Sequence, residues 1–385
     1  MNTREKFLAS MSFSKELIIP KWEYGYWAET VRNWYKEGLD VEKEIPSELG
    51  AGESVRAEVM GHKPGGYVDF EIHHIFNQDA HQRRIPIDNF IYPRFEEKII
   101  EEHPTSVVVR DSWGLIKQRK KDQSTLERFI SGPVQNLEDW EKLKEKRLQP
   151  DTLGRFPENW DALIKEYKQR DYPLVLGGGQ GFFGSIRYLL GEVQSLKGFI
   201  MQPDLIHAIN DHLTNFWISL YDKVLQDIKP DMFLIWEDMC YNDGPLISPA
   251  MVEEFMVPHY KRLCGFLKKN GVEIIHVDTD GDARLILPLF IEGGVTGTFP
   301  LEVKAYMDVL ELREEFPNLQ LVGGVDKMAL LKGKEAIDHE LENKILPAME
   351  MGGFIPTIDH LVPPGVGWKN FSYYRSKLNQ MIEDL

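Results

Sequence analysis

The stretch DMFLIWEDMCYNDGPLISPAMVEEFMVPHYKRLCGFLKKNGVEIIHVDTDGD (231–282) contains one full turn of a repeating pattern. It opens on a short, almost continuously apolar run (231–236) and passes through an acidic turn. A helix-length amphipathic segment follows, and a second apolar run, VEIIHV (272–277), ends again in acids. Apolar runs without polar alternation belong to strands buried on both faces, as in parallel sheets covered by helices. The helix between them carries its own punctuation. Ser248 can cap it and Pro249 suits its first position, while Glu253 and Glu254 complement its positive end. Lys268, Lys269 and Gly271 suit its C-terminus. Pro258 removes an internal hydrogen bond and should kink it.

The same unit recurs on both sides. PLVLG (173–177), GVTGTF (294–299), LQLVGGV (319–325) and GGFIPTI (352–358) are further apolar runs, most of them followed by a helix-like segment. Repeated strand–helix units imply parallel pairing with right-handed crossovers. Six such units, with less distinct ones upstream, suit a closed barrel better than an open sheet. The expected architecture is α/β, a single (β/α)8 TIM-type barrel spanning 1–385. The clearest units lie in about 150–385, with helical and β elaborations in about 1–150. Residues 1–40 read as helical with a turn near Pro20, SVVVRD (106–111) reads as a strand, and 67–95 reads as a short antiparallel meander.

Composition narrows the function. Lys plus Arg is 45 against 61 Asp plus Glu, a formal charge of −16. That balance argues against a partner with a phosphate backbone and against an anionic lipid surface, so neither nucleic acid nor membrane is expected. Two cysteines, Cys240 and Cys264, cannot build a disulfide scaffold, and neither has a nearby CxxC or paired base. The opening MNTREKFLAS has no apolar h-region and no run of 18 apolar residues occurs, so a cytoplasmic protein with a small-molecule substrate is expected.

The polar residues collect at the ends of the apolar runs. Glu237 and Asp238 follow the first, His276, Asp278, Asp280 and Asp282 the second, Asp326 and Lys327 the next, and Asp359 and His360 the last. In a parallel barrel all strand C-termini open on one face, so residues distant in sequence converge there. Any single Asp is explained by helix capping. His276-x-Asp278 with His360 is the constellation that asks for more, because i and i+2 on a strand point to the same side. Imidazole and carboxylate suit Zn²⁺ with an open fourth position, and the same set could hold Fe or Mn. Glu237 is a fourth ligand or general base, with Asp238 beside it. Gln180 and Asp326 are expected to line the pocket, and Tyr26 or Trp27 to cover it. The aromatic group Trp22, Tyr24, Tyr26, Trp27 and Trp34 is otherwise core material.

Two motifs are decoys. Asp278-x-Asp280-Gly281-Asp282 lacks the Gly and Glu of a calcium loop, offering Ala283 and Leu289 instead. Gly179-x-Gly181-x-x-Gly184 has no acidic residue at a second strand end about 20 residues on, so a tight turn is the better reading than a dinucleotide site.

Four segments resemble the uroporphyrinogen decarboxylase superfamily, and within it the branch near the corrinoid:coenzyme M methyltransferases: PLVLGGGQGFFGSIRYLLG (173–191), DMFLIWEDMCYNDGPLISPAMVEEFMVPHYKRL (231–263), LQLVGGVDKMALL (319–331) and GGFIPTIDHLVPP (352–364). The resemblance implies a single (β/α)8 barrel. The decarboxylases grip their substrate's carboxylates with an N-terminal Arg-rich motif. This chain reads WEYGYW there, and an acid-lined pocket would repel an octacarboxylate. The methyltransferases bind zinc through His-x-Cys and a later Cys, to which His276-x-Asp278 and His360 correspond here. The leading expectation is a metal-dependent methyltransferase supplied by a methylated corrinoid on a separate protein. The alternatives are a cofactor-free carboxy-lyase and a non-catalytic corrinoid or small-molecule binding barrel.

Overall fold

A computed structural model describes residues 1–50, 52–56, 67–68, 71–121 and 127–385. Seven parallel strands form one continuous curled sheet, and we number its strands together with one at its seam. At the seam lies β1 (Gly25–Trp27), which pairs antiparallel with Ser54–Arg56 in a small separate sheet and meets the barrel side through a single parallel bridge. The others are β2 (Arg83–Arg84), β3 (Leu174–Gln180), β4 (Met232–Trp236), β5 (Ile274–Asp278), β6 (Gly297–Leu301), β7 (Gln320–Val325) and β8 (Phe354–Ile358). The strands from β2 to β8 pair in chain order. The six apolar runs read from sequence are β3 to β8. β1 and β2 come from the region read as elaboration.

The seam is made by residues 21–27. Tyr26 bridges Val362 in parallel, beyond the end of β8, and on the other side Asp79 N–H donates to the Lys21 carbonyl at 3.1 Å. Glu23 locks it from within. Its carboxylate accepts from the Ile358 and Tyr24 N–H groups, both at 2.9 Å, and from the Tyr374 hydroxyl at 3.0 Å, with Arg375 at 3.3 Å. All four side chains and backbone groups lie in the core, so the buried charge is met on every side, which a buried carboxylate requires.

The helix after β4 follows its sequence punctuation. Ser248 Oγ accepts from Met251 N–H at 3.2 Å, and the helix runs Pro249–Phe255, breaks at Met256 and resumes as Val257–Lys269. The break falls just before Pro258, where the missing N–H leaves the preceding turn unbonded. The antiparallel meander is real but displaced. It comprises Lys98–Glu102, Ser106–Arg110, Ile116–Lys120 and Arg128–Ser131. The stretch 67–95 instead contributes Tyr67–Val68, a short helix at Glu71–Ile75 and β2, and part of it lies outside the described residues. Ile72, Ile85, Ile87 and Ile91 of this stretch are buried in the core, although no hairpin forms among its described residues. No helix among the described residues is long and apolar enough to cross a membrane.

Candidate active site

The strand C-termini form a mouth with two unlike arcs. One arc belongs to β5–β8. Asp278 ends β5 and Asp280 follows it, with Asp280 Oδ2 3.8 Å from His360 Nε2. The His360 ring sits 5.3 Å from Tyr24 and 6.3 Å from Trp27, and Tyr24 in turn lies 6.4 Å from Phe299. Beside them Asp359 is fully buried. Its carboxylate accepts from the Val303 and Lys327 N–H groups at 3.1 and 3.2 Å and pairs with the Lys327 ammonium at 3.3 Å. Burial pushes its pKa up to about 6 against the pull of Lys327. Asp326 is a helix cap, accepting from Met328 N–H at 2.8 Å.

His276 does not join this arc. It pairs in register with Leu234 and Gly297, two residues before the strand end, and is completely buried. Its Nε2 lies 3.0 Å from Gln320 Oε1, while the Gln320 amide donates to the Met11 carbonyl at 2.7 Å. The carboxamide oxygen must therefore be the acceptor and His276 Nε2–H the donor. A Cβ on Gly297 would come within 2.4 Å of the imidazole, so glycine there is what lets the ring lie flat along the sheet. Burial lowers the His276 pKa to about 4, leaving it neutral, and its Nδ1 meets no partner.

Among the described residues no group of three His, Cys, Asp or Glu side chains is arranged to hold a metal ion. The expected triad of His276, Asp278 and His360 is thus not assembled, and the residues present do not fit a zinc site. Residues i and i+2 share one side of a strand, but the bond to Gln320 keeps the His276 imidazole buried within the sheet.

The other arc belongs to β2–β4. Glu237, expected as ligand or base, is sealed off. Its carboxylate accepts from the Phe182 and Gly184 N–H groups at 2.8 and 3.0 Å and from the Tyr260 hydroxyl. It caps the helix Phe182–Leu190 from outside that helix, and burial raises its pKa to about 7. This also disposes of the Gly179-x-Gly181-x-x-Gly184 motif. A Cβ on Gly181 would meet Glu237 Oε1 at 2.3 Å and one on Gly184 would meet the Trp236 carbonyl at 2.6 Å, so both glycines admit the chain's own atoms rather than a phosphate. Asp238, by contrast, stands at the rim. It holds a left-handed backbone (φ 45°), and its Oδ2 lies 2.7 Å from Arg187 Nη1, whose N–H also reaches the Asp238 carbonyl at 2.8 Å. A non-glycine residue held there is worth notice at a functional site.

Gln180 ends β3, nine-tenths buried, and its Oε1 meets no hydrogen-bond donor. Tyr26 does not cover the mouth. It packs edge-on against Trp34 and Phe371 at 5.2 and 5.3 Å, fully in the core, whereas partly buried Trp27 does face His360. Cys240 and Cys264 are buried thiols with pKa values pushed up to about 12 by that burial, inert as expected. Sequence reading missed the cations of this arc. Arg84 lies over Gly178, with burial pulling its pKa down to about 10, and Arg94 is bonded to Asp88. Arg84 is the last residue of the two-residue β2 and Arg94 lies on the loop that follows, where nothing in the apolar pattern flags them.

The uroporphyrinogen decarboxylase (URO-D) family model matches residues 123–377. The chain belongs to the uroporphyrinogen decarboxylase family. Two relatives named uroporphyrinogen decarboxylase agree. The protein from Citrifermentans bemidjiense is 22% identical over 245 residues, 61% of this chain and 67% of the relative. That from Myxococcus xanthus is 26% identical over 196 residues, half of each chain. A solved methyltransferase from Methanosarcina mazei superposes with a TM-score of 0.59 at 15% identity, covering 100% of this chain and 99% of its own, and so shares the fold. The family is one of enzymes, and its barrel confirms the architecture read from the apolar runs.

Proposed function

We propose that this family member transfers a methyl group at the barrel mouth, with the arc of β5–β8 activating the acceptor. The observation that carries the reading is the approach of Asp280 to His360 at 3.8 Å beneath the rings of Tyr24 and Trp27. A carboxylate beside an imidazole orients it and favours its taking a proton, and aromatic walls keep bulk water away. In this reading His360 accepts the proton of an O–H or S–H acceptor, Asp280 stabilises the imidazolium, and Asp278 positions the acceptor. Gln180 and Asp238 line the opposite side. The methyl donor comes from outside the chain, on a separate corrinoid protein docking at the rim. The fold shared with a methyltransferase and the absence of an N-terminal arginine cluster support it.

The test follows methylcobalamin demethylation spectrophotometrically with a simple thiol as acceptor. His360→Phe and Asp280→Asn should each lose about 10²-fold or more in turnover, the usual share of a general base. His276→Leu should retain it. No consumption of methylcobalamin by folded protein removes the proposal.

A second reading has its own observation. Arg84, Arg94 and Arg187 put guanidinium groups on the β2–β4 arc, which weakens the argument that the mouth repels carboxylates. It is a cofactor-free carboxy-lyase, as the relatives' names suggest. Release of CO2 from uroporphyrinogen III by the pure protein, without methyl transfer, would select it.

A further inference from the structure

The loops that carry Asp280 and His360 are held by two carboxylates that share one ammonium. Glu302, which follows β6, accepts through Oε2 from the Gly281 N–H at 3.1 Å and so holds the turn in which Asp280 lies. That turn is closely packed, since Gly281 has φ 79° and a Cβ there would meet the Cys240 carbonyl carbon at 2.6 Å. Asp359, which follows β8 and precedes His360, accepts from the Val303 and Lys327 N–H groups. Lys327 Nζ stands 3.6 Å from Glu302 Oε1 and 3.3 Å from Asp359 Oδ2, and its side chain is only 16% exposed. Ion pairs withdrawn from water in this way are screened much less than those at the surface. The lysine is itself fixed in place. It opens the helix Lys327–Lys332, and its neighbour Asp326, the cap of that helix, donates its N–H to Glu340 at 2.8 Å. A cation is disfavoured in the first turn of a helix, and the two carboxylates offset that preference here.

We propose that Lys327 is a positioning residue for the Asp280–His360 pair, its ammonium tying together the loops after β5, β6 and β8. Asp280 immediately precedes Gly281 and His360 immediately follows Asp359, so each member of the pair is the chain neighbour of a residue that the bridge holds. Without the ammonium, Glu302 and Asp359 would face each other as uncompensated like charges, and the loops they hold would lose their common anchor. Lys327 therefore acts through the backbone of these loops, and its removal changes the approach of Asp280 to His360. The inference rests on the proposed function for the role of the pair, and adds what keeps the pair together.

The test reads the coupling of the pair directly. In side-chain ¹⁵N spectra of the full chain, with the His360 signals assigned by their loss in His360→Phe, Asp280→Asn should displace the His360 imidazole resonances. Lys327→Met keeps the aliphatic stem and removes the charge. In that background the same Asp280→Asn substitution should produce less than about half the displacement, and in a Lys327→Arg background most of it should return. In methylcobalamin turnover, Lys327→Met should lower kcat by up to about 10²-fold with KM nearly unchanged, the cost of a small misplacement of a reacting group. Burial already pushes the Asp359 pKa up to about 6, so in Lys327→Met this carboxyl can take up a proton and stay bonded to the Val303 and residue-327 N–H groups. If that variant does not fold, Glu302→Gln takes its place in the same spectra, because it keeps an oxygen for the Gly281 N–H and gives up only its charge. A displacement equal in all backgrounds overturns this inference and leaves the pair intact. No displacement in the parent background overturns the pair and this inference together. A displacement that depends on Lys327, in a chain that consumes no methylcobalamin, upholds the bridge and fails only the proposed function.

Discussion

The two arcs of the mouth handle buried charge in opposite ways. On β5–β8, Asp280 and His360 stay together at the surface of the mouth, and the carboxylate that goes inside, Asp359, takes Lys327 with it. On β2–β4 the inner carboxylate, Glu237, is met by backbone N–H groups and a tyrosine hydroxyl instead of a cation, while the cations Arg94 and Arg187 stand at the rim. The difference teaches that an acid at a barrel strand end is not by itself a catalytic group. Glu237 follows one strand and Asp278 ends its neighbour, yet Glu237 is sealed inside as the cap of a helix.

The largest effect follows from the inner carboxylate of the cationic arc. Glu237→Leu leaves Phe182 N–H, Gly184 N–H and the Tyr260 hydroxyl without an acceptor in a fully buried place. The expected loss is about 3 kcal/mol or more of folding stability, read from urea melts, whereas Glu237→Gln keeps one acceptor oxygen and should lose roughly half as much. If Glu237→Gln melted like the parent and lost turnover instead, the contrast between the arcs would break, and Glu237 would be the ligand or general base expected from its place after an apolar run.

A pH series sharpens the same comparison. Glu237 titrates near 7 in the fold against an ordinary 4.5, so the folded chain holds a proton that the unfolded chain has released. The burial penalty is absent below 4.5, grows as pH rises and is complete above about 7. Asp359 behaves alike between 3.8 and about 6. The neutral buried imidazoles His259 and His276, each lowered to about 4, work the other way, gaining stability as pH rises from there to 6.5. The stability of the parent relative to Glu237→Gln should therefore decline between pH 4.5 and 7 and level off above, as measured by urea midpoints. A flat difference would mean that the carboxylate is ionised throughout.

The barrel was legible because its strands are buried on both faces, and six apolar runs alternating with helix-length segments suit a closed parallel sheet better than an open one. The two strands that escaped notice, β1 and β2, are three and two residues long, too short for any periodicity to register. The site was legible only where a residue's role follows from its own strand. Asp238, Gln180 and His360 end or flank strands at the mouth, as the apolar runs implied, and Trp27, singled out from the aromatic N-terminal group, lies beside His360. Arg187 and Arg94 were missed because a helix face and a loop deliver them. Tyr26 and His276 were misjudged for a third reason: their orientation is set by partners far away in sequence, Phe371 and Gln320, which no local pattern announces.

His276 gives the smallest and most diagnostic expected effect. A metal ligand at the centre of catalysis should tolerate nothing, but a neutral imidazole held by one carboxamide is a piece of barrel filling. Its Nε2–H bond to Gln320 can be given up cheaply, because Gln320 Oε1 also accepts from the Thr296 hydroxyl at 2.7 Å and its amide remains bonded to Met11. Replacement by leucine also removes Nδ1, an acceptor that the fold leaves without a partner. The lost bond and the relieved orphan oppose each other, so His276→Leu should change stability by no more than about 1 kcal/mol in either direction. Its content of bound transition metal, measured by mass spectrometry on protein purified in parallel with the parent, should be unchanged. A variant that loses metal together with turnover would reinstate the imidazole as a ligand and require Gln320 to release it.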